Sequence, residues 1–71
     1  MDNDCFSFII YIIHACANQW NETPSAVYQN LKNSGCLDHY LIPNYDILHT
    51  QSTDYIVHDV EQYLKKREAS A

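Results

Sequence analysis

The sequence is short of the residues that interrupt helices. Its 71 positions hold one glycine and two prolines, with no repeat and no low-complexity tract. That scarcity leaves no room for an internal linker, and each glycine or proline marks a boundary that can be read directly. Positive charge is scarce too: four lysines and arginines stand against nine acidic residues, for a net charge of −5. Three of the four, Lys65, Lys66 and Arg67, are bunched near the C-terminus. Little is left elsewhere to neutralise phosphates, which supply most nonspecific nucleic-acid affinity, so direct DNA or RNA binding is disfavoured. A partner with a basic surface suits this charge better.

Two further shortages bound the location and chemistry. The apolar run over residues 6–17 falls short of the roughly 20 residues that span a bilayer. It also contains His14, so it reads as a core helix and no membrane role is expected. The three cysteines, Cys5, Cys16 and Cys36, cannot all pair within the chain. Cys5 and Cys16 share one expected helix and, at about 1.5 Å rise per residue, lie roughly 16 Å apart, beyond disulfide reach. Reduced thiols in a reducing compartment follow. The acidic start, Met1-Asp2-Asn3-Asp4, lacks the basic region of a secretory signal, which agrees with a cytoplasmic location. A chain of this length forms one domain, residues 1–71, with 68–71 as a frayed tail. So small a domain buries only about 60% of its unfolded surface, and self-association is a common remedy.

What is present is helical periodicity. A first helix is expected over residues 4–18, with Asp2 and Asp4 at the positive end of its dipole. Phe6, Ile9, Ile10, Ile13, Cys16, Ala17 and Trp20 recur at three- and four-residue steps and mark its core face. Phe8, Tyr11, Ile12 and Ala15 make the other side apolar too, which demands burial on more than one side. The other helices of so small a domain can hardly cover all of it, so those four residues are expected to meet a protein partner or a second copy of the chain. Thr23-Pro24 starts a second helix with Val27, Tyr28 and Leu31 as its stripe, and Ser34-Gly35 ends it. Residues 37–42 read as a short helix or turn stopped by Pro43, with Tyr40-Leu41-Ile42 ambiguous between helix and strand. Residues 45–50 read as another single turn. A last helix starts at Ser52 or Thr53, and its core face is Ile56, Val60, Tyr63 and Leu64. The fold class is therefore all-α: a small bundle of three main helices, with one or two short helical turns between the second and the last.

No catalytic constellation stands out. Cys36 and His39 form a Cys-x-x-His step, and His49 and His58 would have to complete a zinc site. Zinc usually takes two tight ligand pairs, and only one exists, so no metal and no cofactor are expected. A cysteine nucleophile next to His14 or His39 would lack an oxyanion turn, so no enzyme is expected. The polar stretch Tyr45, Asp46, His49, Thr50, Gln51 and Asp54 has two readings. As function it is a binding loop; as structure His49 and Thr50 satisfy helix ends while Tyr45 packs its ring, and the structural reading is the commoner one. Asp54 and His58 stand four apart and could pair.

The segments Leu37-Asp38-His39-Tyr40-Leu41-Ile42, Leu48-His49-Thr50-Gln51 and Tyr55-Ile56-Val57-His58-Asp59-Val60 carry a resemblance. The chain resembles a family of small bacterial proteins classed as a domain of unknown function, from the first helix to Leu64. Pro43 departs from the pattern and implies an early end to the short third helix. The resemblance implies a stand-alone protein, often encoded beside an ADP-ribosyltransferase-like protein, and hence an antitoxin-like neutralising partner. The matched positions of interest are His49, Thr50, Gln51 and Asp59. The expected function is a non-enzymatic protein-interaction module working through the first helix or the loop. The alternative is a small trihelical nucleic-acid-binding regulator, disfavoured because the second helix offers only Lys32.

Overall fold

A computed structural model describes residues 3–70, and side chains over 3–66. Its elements are α1 (Asn3–Trp20), α2 (Pro24–Ser34), a π-helical turn (Leu37–Leu41), α3 (Tyr45–Leu48) and α4 (Thr53–Ser70). There is no strand among the described residues, and three long helices with two short helical turns between the second and last make the all-α bundle expected. The expected fraying of residues 68–71 falls outside the described side chains.

The ends of the helices follow from local chemistry. At the start of α2, the Thr23 hydroxyl accepts the Ala26 N–H at 3.1 Å, and Pro24 fills the first helical position, where no N–H is needed. At its end Gly35 turns left-handed at φ 85° and returns its N–H to the Lys32 carbonyl. α1 runs two residues past the expected 18 because Asn21 supplies a similar cap. Asn21 takes φ 57°, and the next N–H, of Glu22, reaches the Ala17 carbonyl at 2.9 Å. Asparagine is the usual substitute for glycine at such a position. Ser52 caps α4 by accepting the Tyr55 N–H at 3.2 Å, which leaves the Thr53 hydroxyl free to meet α1.

The ambiguous Tyr40-Leu41-Ile42 stretch is helical. The turn is wider than an α-helix, with the Ile42 N–H donating to the Leu37 carbonyl five residues back at 3.0 Å. It sinks both Leu37 and Leu41 into the core before Pro43 breaks the run. α3 then forms a single turn and buries Leu48.

The core lies where α1 packs on α2 and α4, with the π-helical turn closing against α2. α1 contributes Cys5, Ile9, Ile12, Ile13, Cys16 and Ala17, a spacing of four, seven, eight, eleven and twelve that follows one helical face. Val27 and Leu31 come from α2, and Ile56, Val57 and Val60 from α4. The radius of gyration is 11.3 Å, against about 11 Å expected for a folded chain of this length.

The core face of α1 is rotated from the one expected. Ile12, assigned to the outer side, is fully buried, while Phe6 and Ile10, assigned to the core, are 56% and 40% exposed. The reason is physical. Asp4, Ser7, His14 and Asn18 mark the exposed side of α1, and its two apolar flanks, Phe8 and Ile12 on one and Phe6 and Ile10 on the other, are told apart only by where α2 and α4 sit. Tyr28, placed in the apolar stripe of α2, is likewise 41% exposed.

Candidate functional site

The eight residues singled out from the sequence go to three places. Phe8 and Ala15 are half-buried on α1 and packed against the core, and Ile12 is within it. Phe8 meets the Tyr45 ring edge-on with centroids 5.4 Å apart, and Tyr45 stacks on the His49 imidazole at 4.9 Å. Tyr11 is exposed, and its hydroxyl bonds the Thr53 hydroxyl at 2.9 Å, tying α1 to the start of α4. Ile12 therefore has no free surface to offer a partner, and Phe8 is occupied by Tyr45. The exposed apolar side chains of α1 are Phe6, Ile10 and Tyr11. Phe6 and Ile10 stand one turn apart and so form a single ridge.

His49 and Thr50 are exposed and turn their side chains back onto the main chain of α3. His49 Nδ1 lies 2.9 Å from the Tyr45 carbonyl, and the Thr50 hydroxyl donates to the Ile47 carbonyl at 2.7 Å. Each is a second bond to a carbonyl that a backbone N–H already reaches, from His49 to Tyr45 at 3.0 Å and from Thr50 to Ile47 at 3.3 Å. Tyr45 packs its ring against the core.

Gln51 and Asp59 meet at a groove between the 44–51 segment and α4. Its volume is about 240 Å³, and its walls include Tyr40, Asn44, Ile47, Gln51, Tyr55 and Asp59, over a floor of Leu48. Tyr40 donates its hydroxyl to Asp59 Oδ2 at 2.7 Å, and its ring stacks on Tyr63 with centroids 6.0 Å apart. Burial, then the bond and the charge of Asp59, hold the Tyr40 hydroxyl well above the usual phenol range, so it stays protonated and donating. Asn44 is pinned by donating to the Tyr40 carbonyl at 2.8 Å. Ile47 and Tyr55 rise from the groove 63% and 51% exposed. Sequence reasoning missed Tyr40, Asn44, Ile47 and Tyr55. The four-residue step from Tyr55 to Asp59 along α4 was the available signal, since such a pair shares a helix face.

The Cys-x-x-His step does not assemble into a site. Cys36 is fully buried while His39, His49 and His58 are exposed. Among the described residues no three His, Cys, Asp or Glu side chains come together as a metal ion would need. All three cysteines are buried and none forms a disulfide. Burial, with Glu61 as a smaller cause, pushes the Cys16 thiol up to about 12. Burial, followed by Cys16, pushes Cys36 up to about 12 as well. A thiol held protonated is a poor nucleophile and a poor metal ligand. Asp54 and His58 share the rim of a shallow hollow with Gln19 and Glu61, and no ion pair joins them. Lys32, the one cation of α2, is engaged with Asp38 at 3.3 Å. No described helix is long and apolar enough to cross a membrane.

These features make up a small helical domain with two surfaces of note, the Phe6–Ile10 ridge and the Tyr40–Asp59 groove. The chain belongs to the family described as "Protein of unknown function (DUF3791)", whose model matches residues 7–67. No curated protein and no solved structure matches it.

Proposed function

We infer that this chain is a non-enzymatic protein-interaction module that works through the exposed apolar side of α1. The observation that carries the reading is the pair Phe6 and Ile10, 56% and 40% exposed one turn apart. Large apolar side chains grouped on one helix are costly to leave in water, at about 25 cal/mol per Å². A partner that covers them recovers that free energy, as in helix-in-groove recognition. The net charge of −5 adds a preference for a partner with a basic face.

The finer reading is an antitoxin-like role, in which the chain binds and neutralises an ADP-ribosyltransferase-like protein encoded beside it in a bacterial genome. The family resemblance supports this, through the gene neighbourhood it implies. The test is to mix the purified chain with such a neighbour and measure both complex formation and NAD consumption. A tight complex with suppressed NAD consumption, lost in Phe6→Asp/Ile10→Asp, is the expected result. Absence of a complex, with the chain itself monomeric at high concentration, would sink the interaction reading.

A further inference from the structure

We propose that the groove between Tyr40, Gln51, Tyr55 and Asp59 is an anchoring pocket for one arginine side chain of a protein partner. The proposal rests on the interaction reading above and adds a second contact point to it, on a different face from the Phe6–Ile10 ridge.

Size is the first argument. At about 240 Å³ the groove is smaller than the 300–1,000 Å³ range of small-molecule and cofactor sites. It suits a single long side chain.

The chemistry of its walls decides which side chain. Asp59 is the sole charged group lining the groove, and no cation among the described residues pairs with it. Its Oδ2 is taken by the Tyr40 hydroxyl, and Oδ1 accepts no bond within the described chain. Because Tyr40 spends its proton on Asp59, the lone pairs of its oxygen are left as a second acceptor beside the carboxylate. Two fixed acceptors next to each other match the donor fork of a guanidinium, which an ammonium matches less well. Two aromatic rings, Tyr40 and Tyr55, border the same space, and a guanidinium gains further by lying over such a ring. The Gln51 amide oxygen is available as one more acceptor. The apolar Ile47 and Leu48 line the path that the aliphatic stem of an arginine would follow.

A second hollow, lined by Trp20, Glu22, Asn30, Glu61, Leu64 and Lys65, is also aromatic and acidic. There Lys65 already lies 3.9 Å from Glu61, so part of its negative charge is answered within the chain. The Tyr40–Asp59 groove has no such internal cation.

The probe is the blocked tripeptide Ac-Gly-Arg-Gly-amide, titrated into the full chain and followed by the amide and side-chain resonances of the protein. Two controls carry the test: the same peptide with citrulline, which keeps the shape and removes the charge, and the same peptide with lysine. The expected result is a saturable shift confined to Tyr40, Asn44, Gln51, Tyr55 and Asp59. The arginine peptide should bind at least several-fold more tightly than the lysine peptide, and the citrulline peptide hardly at all. Asp59→Asn keeps an acceptor for Tyr40 and should abolish the shift, while the exposed Tyr55→Ala should weaken it without unfolding the chain. Equal binding of arginine and citrulline peptides, unchanged binding by Asp59→Asn, or no saturable shift would each overturn the proposal. Those failures leave the Phe6–Ile10 reading standing, because its test depends on a different face and a different variant.

Discussion

Ile10 and Ile12 of α1 carry the same side chain two positions apart, and truncating each to alanine tests how the helix is oriented. Ile12 is fully buried and Ile10 is 40% exposed. Truncating a fully buried isoleucine removes its transfer free energy and leaves a cavity, at about 2–5 kcal/mol. The whole domain, at 71 residues, should hold about 4–10 kcal/mol of stability. Ile12→Ala therefore removes a large part of the total. With about 4–8 °C of Tm per kcal/mol for a domain of this size, the fall should exceed roughly 10 °C. Ile10→Ala loses a smaller transfer term and no enclosed cavity, and alanine's better helix propensity returns up to about 0.5 kcal/mol. Its net cost should stay below about 1 kcal/mol. Urea unfolding followed by circular dichroism measures both. Equal losses at the two positions, or a larger loss at Ile10, would refute the orientation of α1 and with it the exposed ridge.

Three other outcomes follow from the geometry. Gly35→Ala should destabilise by about 1–2 kcal/mol, from the left-handed backbone alone. The new Cβ would also stand 3.0 Å from the His39 ring, so Gly35→Ala/His39→Ala should recover only the contact part in thermal unfolding. Tyr40→Phe should cost about 1–2 kcal/mol by removing the hydrogen bond to Asp59, read in the same assay, with no change in the helical content of the native state. Stability should fall from about pH 9 upward. The Cys16 and Cys36 thiols ionise near 9.0 when unfolded but only at about 12 when folded, so in that window the unfolded chain has lost protons that the folded chain keeps. The raised Tyr40 works in the same direction at the upper end. Denaturation curves across alkaline pH, and the rate at which a thiol reagent labels the native protein, check this together.

The parts of the fold legible in the sequence are those where punctuation is local. Thr23-Pro24 and Gly35 delimit α2 because a hydroxyl cap, a residue without an N–H and a residue free to turn left-handed each solve a helix-end problem by themselves. The polar side of α1 was legible in Asp4, Ser7, His14 and Asn18, but which of its two apolar flanks is covered was not, because tertiary packing chooses between them. That is why Ile12 changed sides with Phe6 and Ile10. The end of α1 at Asn21 had a signal, since asparagine is the common left-handed cap after glycine. The groove was legible only in halves. Gln51 and Asp59 stood out in the sequence, but their meeting, and the part of Tyr40 in it, depends on the π-helical turn swinging a residue nineteen positions away onto α4.

The central claim is that the exposed ridge of α1 is a contact surface. The most direct test is sedimentation velocity on the wild-type chain and on Phe6→Asp/Ile10→Asp, each alone and each mixed with an ADP-ribosyltransferase-like protein encoded beside a family member. The wild type should sediment as a complex with that protein, and the double variant as a folded monomer alone and in the mixture. A wild type that stays monomeric alone and in the mixture, or a double variant that associates as tightly as the wild type, would contradict the account.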